Sequence, residues 1–425
     1  MKTTGAEIRM GNEMALNRHV SVNSSRLLSR IKELGQAGRD ADGKLSRLAI
    51  SEADKVGRDI LVTWIREAGL EVAIDRIGNI FGIWRTEDQL QEPVLIGSHI
   101  DTVKNAGIYD GCYGVLSGLE VIQTLRESGF SPGRPIAVAA FTNEEGVRYA
   151  PDMMGSLVYA GEMTVEDALS TVGIDGTVLG DELSRIQYAG TETPGFMKPY
   201  AYVELHVEQG PVLERAGAAI GAVEKLQGVS WMRVTIEGTA NHAGTTPMTM
   251  RQDAGHAAAR MMTFLHGQAV SSQTGTVVTV GSLTLEPNVI NVIPSRACFT
   301  IDLRDPDEQS LQSKEVDVAD FLSRLTMEGF SVNIESLARS QPVVFDRTVV
   351  QLIEAAADGR GLLHIPMTSG AGHDAQMIAR MCPAGMIFVP SVGGISHNPN
   401  EYTLEHDLVN GANVLLDVVN RLSAN

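Results

Sequence analysis

PVLIGSH, residues 93–99, is an apolar run that ends on an imidazole. A short run with no polar alternation reads as a strand buried on both faces. Downstream, YGVLSGLEVIQTLRES (113–128) reads as a helix and PIAVAAF (135–141) as a second buried strand. This β–α–β order marks an α/β sheet with parallel members and helices on its faces. Upstream, 22–36 reads as an amphipathic helix with an Asn/Ser start, and 50–69 as another, capped by Ser51 and stopped by Gly69. EVAIDRIG (71–78) and IFGIWR (80–85) are strand-like.

Around residue 217 the pattern changes. SWMRVTIEG (230–238) alternates as a half-exposed strand, 251–268 is helical, and 275–285 and 296–305 are strands. Residues 307–329 are helical again and 330–336 form a strand. The order β-α-β-β-α-β describes a ferredoxin-like α+β unit, inserted as residues 217–334. The α/β style then resumes with a helix at 349–359, a strand at 384–391 and a helix at 405–423. The larger domain is therefore discontinuous, 1–216 with 335–425, and residues 185–197 read as a loop.

Four apolar strands lead into residues that bind metals. VLIGS runs into His99 and Asp101, IAVAAFTN into Glu144 and Glu145, AYVEL into His206, and MIFVPSVGGIS leads to His397. In open α/β sheets ligands sit beyond the carboxyl ends of the strands, so the fold would gather these groups at one edge. Singly, each has an ordinary reading: a core histidine, a solvated acid pair. Together they follow runs buried on two faces, where an uncompensated carboxylate is expensive and a divalent cation removes the expense. Asp110, in the Gly-flanked turn GIYDGCYGV (107–115), is the fifth candidate ligand. Read alone it is a helix cap; beside His99-x-Asp101 it becomes a carboxylate able to bridge two cations. The donor set is nitrogen and oxygen without sulfur, which suits Zn²⁺, Mn²⁺, Co²⁺ or Ni²⁺.

The bulk figures narrow the function classes. The chain has 425 residues, 43% of them hydrophobic, with 34 basic against 52 acidic side chains and a net charge of −18. That surface repels phosphate backbones and argues against nucleic acid as a partner. Cys112, Cys298 and Cys382 are odd in number and form no CxxC, which argues against a disulfide framework and a cysteine-zinc site and fits a reducing cytoplasm. MKTTGAEIRMGNEMALNRHVSVN (1–23) holds no signal-type apolar core, and no uncharged run is long enough to span a membrane.

Seven motifs, in order, carry a family resemblance. GSHIDTV (97–103), YDGCYGVLSGLE (109–120), FTNEEGVRY (141–149), ELHVEQGPVLE (204–214), ANHAGTTPM (240–248), AGHDAQ (371–376) and GGISHNPNEYT (393–403) resemble the N-carbamoyl-L-amino-acid hydrolases. Close relatives are the β-ureidopropionases and allantoate amidohydrolases. The resemblance covers the chain from about residue 20 to its end. It implies a di-metal peptidase-like catalytic domain carrying an inserted lid and dimerisation domain, hence a homodimer. By the resemblance, His99, Asp110 and His206 would hold one cation, and Asp110, Glu145 and His397 a second. Asp101 would orient His99 through its other ring nitrogen. Glu144 would be the general base. His242, in ANHAG, resembles a histidine that stabilises the oxyanion in the neighbouring subunit's site. Asn291, in NVIP, and Arg304, in DLRD, resemble holders of the substrate carboxylate. Gln209 and His373 resemble further substrate contacts. A site divided between two domains implies closure on binding. The implied reaction hydrolyses the ureido C–N bond of a ureido acid to an amino acid, ammonia and carbon dioxide.

Other readings are tested against the same residues. An aminoacylase or dipeptidase is disfavoured by HVEQG (206–210), because dipeptidase-like relatives usually carry a carboxylate at the His206 position. A non-catalytic metal scaffold leaves Glu144, beside a ligand, without a role. A Ser or Cys nucleophile lacks the GxSxG elbow, and Cys112 has no neighbouring histidine in the sequence. His256 and His266 fall in the inserted unit's first helix and His406 at a helix start, so none is assigned to the site. The choice among N-carbamoyl α-amino acids, N-carbamoyl-β-alanine and allantoate stays open.

Overall fold

The parallel strands anticipated at 93–99 and 135–141 lie side by side at the centre of a nine-stranded mixed sheet. The computed structural model describes residues 20–86 and 92–424. The reading of residues 1–23 falls mostly outside them. Two compact units are present, Lys225–Val344 and the remainder of the chain.

In the larger unit the strands are β1 (Glu71–Ile74), β2 (Ile80–Trp84), β3 (Val94–His99), β4 (Ile136–Phe141), β5 (Ala201–Val207) and β6 (Ile220–Leu226). The small sheet that follows holds β7 (Gly228–Glu237), β8 (Val277–Thr279), β9 (Leu283–Glu286), β10 (Arg296–Asp305) and β11 (Ser331–Ser340). β12 (Val343–Val344), β13 (His364–Ser369) and β14 (Ala384–Val389) complete the large sheet. Its order is β1-β2-β4-β3-β5-β14-β6-β12, with β13 also pairing β6. The central members β4, β3, β5 and β14 are mutually parallel. Each is buried along its whole length, as a strand covered by helices on both faces must be.

The helices begin where the caps predicted. In α1 (Ser24–Leu34) the Asn23 side chain accepts from Arg26 N at 3.1 Å, and in α2 (Glu52–Glu67) Ser51 Oγ accepts from Asp54 N at 3.2 Å. Such caps are worth about 1 kcal/mol each. α3 (Cys112–Glu127) crosses from β3 toward β4 and is buried on nearly every side. Several elements carry too little periodicity to be read in advance: α4 (Met154–Tyr159), α5 (Val165–Leu169), α6 (Leu179–Arg185), α7 (Val212–Ala216) and β13.

In the small unit, α8 (Ala254–Val270) and α9 (Glu308–Met327) pack on an antiparallel sheet ordered β11-β7-β10, with β8 and β9 both on the far side of β10. The expected β-α-β-β-α-β order is present, but the single strand read at 275–285 is split into β8 and β9. The boundaries also move from 217–334 to Lys225–Val344. Residues 220–226 form β6, which pairs with β14 and belongs to the large sheet. At the other end β11 continues through a bulge between Ser336 and Ala338 to Ser340, because its pairing with β7 runs that far. The large unit closes with α10 (Arg347–Gly359), α11 (Asp374–Ile378) and α12 (Glu405–Ser423). Among the described residues no helix is long and apolar enough to cross a membrane.

Candidate metal centre

The parallel strands all point their carboxyl ends the same way, and the ligand-type residues follow them. His99 is the last residue of β3, and His206 is the sixth of β5. Glu144 and Glu145 lie three and four residues past β4, and His397 eight past β14. Asp110 sits just before α3. Its Oδ1 lies 3.2 Å from His206 Nε2 and 3.7 Å from His99 Nε2, and its Oδ2 lies 3.4 Å from His397 Nε2. Glu145 Oε2 is 3.5 Å from His397 Nε2. Two donor trios result, His99–Asp110–His206 and Asp110–Glu145–His397, and Asp110 belongs to both. Glu144 Oε2 lies 3.3 Å from His99 Nε2, outside both trios.

The surroundings set each ligand's orientation. Gly111 N donates to His206 Nε2 at 3.1 Å, while His206 Nδ1 faces the Val207 carbonyl at 2.8 Å. That geometry calls for the proton on Nδ1 and leaves Nε2 unprotonated, accepting from Gly111 N. His99 Nδ1 meets the backbone carbonyl of Asp101 at 3.0 Å, whereas the Asp101 carboxylate stands 3.9 Å away. Asp101 thus steadies His99 through its main chain. Its carboxylate instead accepts from the N–H groups of Glu144 and Glu145, both at 3.3 Å, and so holds the acid pair. Gln209 Nε2 donates to Asp110 Oδ2 at 2.9 Å and Ser396 Oγ to the same oxygen at 3.3 Å. His373 is buried with its ring centroid 4.5 Å from that of His206, and its Nε2 lies 3.1 Å from Ser369 Oγ.

Part of the left-handed backbone lies at the same place. Asn143, Gln209 and His397 adopt positive φ (57°, 59° and 52°) without being glycine, at a cost on the order of 1–3 kcal/mol each. Gly111 has φ 62° and ψ −49°, and a Cβ there would lie 2.3–2.4 Å from three atoms of the His99 ring. Gly111→Ala should therefore displace His99, lower stability by at least about 2 kcal/mol and reduce cation binding. A thermal melt and a metal titration on the purified variant check this; parent-like values in both would refute the packing argument.

The remaining expected residues lie in the small unit. His242 is exposed, and its Nδ1 accepts from Gly244 N at 3.0 Å and Thr245 N at 3.2 Å, which puts its proton on Nε2. The neighbouring Asn291 is exposed and its carbonyl accepts from Ala243 N at 2.9 Å. Arg304 binds Asp302 with two arms of its fork, at 2.9 and 2.8 Å.

The pattern of peptidase family M20/M25/M40 matches residues 95–421. The chain belongs to this family. The N-carbamoyl-L-amino-acid amidohydrolase of Rhizobium meliloti is 39% identical over 402 residues, covering 94% of this chain and 96% of that protein. The allantoate amidohydrolase of Bacillus subtilis is 35% identical over 399 residues, covering 92% and 96%. A crystal structure of an amidase of the hydantoinase/carbamoylase family from Burkholderia multivorans superposes with TM-score 0.93 at 39% identity, covering 96% and 100%. The expected family and its mixed α/β fold are borne out.

The electrostatics of this M20 site fit a pair of divalent cations. Burial first, and then the charges of Asp374, Glu145, Asp110 and Asp101, push Glu144 well above the usual carboxylate range. Burial followed by Asp110 and Asp101 does the same to Glu145. Burial drives His99 down to about 4. For His206 burial also opposes the charge, but Asp110 outweighs it and lifts the group to about 9. Burial likewise opposes ionisation of Asp110, yet contacts with His206 and His397 hold it well below its ordinary value. A cluster rich in buried acids and imidazoles, with Asp110 common to two trios, is the donor chemistry of a two-cation centre.

Three buried acids escaped sequence reasoning. Glu204 forms a further group with His206 and His373. Its oxygens already accept from Ser98 Oγ (2.8 Å), Tyr202 OH (3.1 Å) and Ala375 N (2.8 Å), so structural partners occupy it. Glu401 Oε1 accepts from Tyr109 N at 3.0 Å and Asp110 N at 3.2 Å and so carries the Asp110 turn. Asp374 is fully buried near Glu204, and burial followed by the Glu204 charge raises it well above its ordinary value. The spacing of Glu204 two residues before His206, on one face of a strand, is the signal that was available.

Proposed function

We propose that the chain is a two-cation amidohydrolase that cleaves the ureido C–N bond of an N-carbamoyl-L-amino acid or a related ureido acid, releasing the amino acid, ammonia and carbon dioxide. The observation that carries this reading is the pair of ligand trios meeting at Asp110, with the Glu144 carboxylate 3.3 Å from His99. When bound, two cations supply a water acidified to near neutrality and positive charge for the carbonyl oxygen. Glu144 takes the proton of the attacking water and delivers it to the leaving nitrogen. Gln209 and His373 contact the substrate beside the ligands. Arg304 and Asn291 hold its carboxylate, and His242 stabilises the oxyanion in the neighbouring subunit's site through Nε2, its Nδ1 being engaged by Gly244 N and Thr245 N.

Support for the ureido substrate comes from the relatives, whose names specify N-carbamoyl amino acids and allantoate. The nitrogen and oxygen donors favour Zn²⁺, with Mn²⁺, Co²⁺ or Ni²⁺ as alternatives. Three free cysteines suit a reducing cytoplasm, and the resemblance supports a homodimer formed through the inserted unit.

The test is an ammonia assay. Protein stripped of metal and reloaded with Zn²⁺, Mn²⁺, Co²⁺ or Ni²⁺ is offered N-carbamoyl-L-amino acids, N-carbamoyl-β-alanine, allantoate, acetyl-amino acids and dipeptides. Metal-dependent ammonia release from at least one ureido acid is expected. Turnover of acetyl or peptide amides alone would replace this reading with an aminoacylase or dipeptidase.

A further inference from the structure

Arg47 lies between the first two helices, in the segment KLSRLAIS, and is fully buried. Its hydrogen bonds go to carbonyls and a thiol. Nε donates to the Ile100 carbonyl at 2.7 Å, Nη1 to the carbonyls of Leu34 (2.8 Å) and Ala37 (2.7 Å), and Nη2 to Cys112 Sγ at 3.0 Å. Ile100 separates His99 from Asp101, and Cys112 lies two residues after Asp110. The main chain reinforces the link: Arg47 N donates to Thr102 Oγ1 and Thr102 N to the Arg47 carbonyl, both at 2.9 Å. One side chain therefore ties the end of β3, with His99, to the turn that starts α3, with Asp110.

The fold keeps space for this arginine. A Cβ on Gly57 of α2 would lie 2.8 Å from Arg47 Cδ. Burying a guanidinium is costly, and an apolar side chain would fill the same volume without that cost. A purely structural clamp between α1 and the sheet needs no contact with Cys112. The third arm, directed at the residue beside the Asp110 turn, is what a clamp on the ligands requires.

We propose that Arg47 is a positioning residue that sets the separation of His99 and Asp110, and through it the cation site these two share with His206. The proposal rests on the two-cation reading above. Partners standing behind metal ligands change affinity by about 10–100-fold. Arg47→Lys keeps the buried charge but loses the fork that spans Ile100 and Cys112.

The experiment is a Co²⁺ titration of the full-length protein, followed by visible absorption. It uses the parent, Arg47→Lys, Cys112→Ala, and Arg47→Lys combined with His397→Ala. The parent should bind two ions per chain. Arg47→Lys should weaken the ion of the His99–Asp110–His206 trio by about tenfold or more, and weaken less the other ion, which shares Asp110 but not His99. It should also change the absorption band of the weakened ion and lower kcat more than KM. In the His397→Ala background, which retains only the His99–Asp110–His206 trio, the remaining ion should be the weakened one. Parent-like affinity and spectrum in Arg47→Lys, or equal weakening of both ions, would overturn the proposal. Should Arg47→Lys fail to fold, Cys112→Ala decides: a several-fold weaker first ion supports the clamp, and unchanged binding refutes it. A parent that binds fewer than two ions would sink the two-cation reading itself.

Discussion

Glu144→Gln is expected to keep both cations and lose on the order of 10²–10⁴-fold in kcat, with KM changed by no more than a few-fold. Glutamine matches glutamate in shape but cannot accept and return a proton. Glu144 stands outside both ligand trios, so its replacement leaves the donor sets intact. Its neighbours are Asp101, Asp110, Glu145 and Asp374, and burial among them makes its charged form costly. Removing that carboxylate should leave the metal-free protein as stable as the parent or more so, because a neutral amide avoids the repulsion. Ammonia release gives kcat and KM, atomic absorption gives metal content, and a chelator-treated melt gives stability. Near-parent turnover would refute the assignment of Glu144 as base.

Asp110→Ala should be the more damaging change for metal binding. Asp110 is the residue common to both trios, so its loss removes a ligand from each site at once. Both affinities should fall by more than the roughly 10–100-fold seen when a partner behind a ligand is removed, and turnover should reach background. His397→Ala is the control, because His397 belongs to one trio only and should weaken one ion. Stability reports the same linkage. A ligand at a thousandfold excess over its Kd stabilises the folded state by about 4 kcal/mol, so the parent should melt higher with cations present. Asp110→Ala should lose nearly all of that increment and His397→Ala about half. Retention of two tightly bound ions by Asp110→Ala would disprove the shared carboxylate.

The M20 assignment sharpens what these variants test. Relatives of this chain carry names that share amide hydrolysis but differ in substrate, from N-carbamoyl amino acids to allantoate. The ligand chemistry is therefore the general part and the substrate contacts the specific part. Arg304 holds Asp302 through two hydrogen bonds, so on the proposed reading a substrate carboxylate would compete with that partner for the fork.

Most of the architecture was legible in the order of residues. Strands buried on both faces are uninterrupted apolar runs, and β3, β4, β5 and β14 each announce themselves that way. Because the sheet is parallel there, their ends converge, and the convergence of His99, Asp110, Glu145, His206 and His397 follows from chain order plus one topological rule. Caps at Asn23 and Ser51 are local chemistry and were visible for the same reason. The short helices α4 to α7, and the split between β8 and β9, lack periods long enough to detect.

What the sequence could not contain is distance between segments remote in the chain. Whether Asp101 orients His99 by its side chain or its backbone depends on differences of 1 Å, and the backbone carbonyl is the closer. Glu401 under the Asp110 turn, Glu204 satisfied by Ser98, Tyr202 and Ala375, and Arg47 between Ile100 and Cys112 are contacts across dozens to hundreds of residues. No local pattern records them, because a buried polar group is defined by its partners rather than by its neighbours in sequence. Composition and order determined the sheet, the inserted unit and the ligand types. Tertiary packing alone decided which oxygen faces which nitrogen, and so which residues hold the ligands in place.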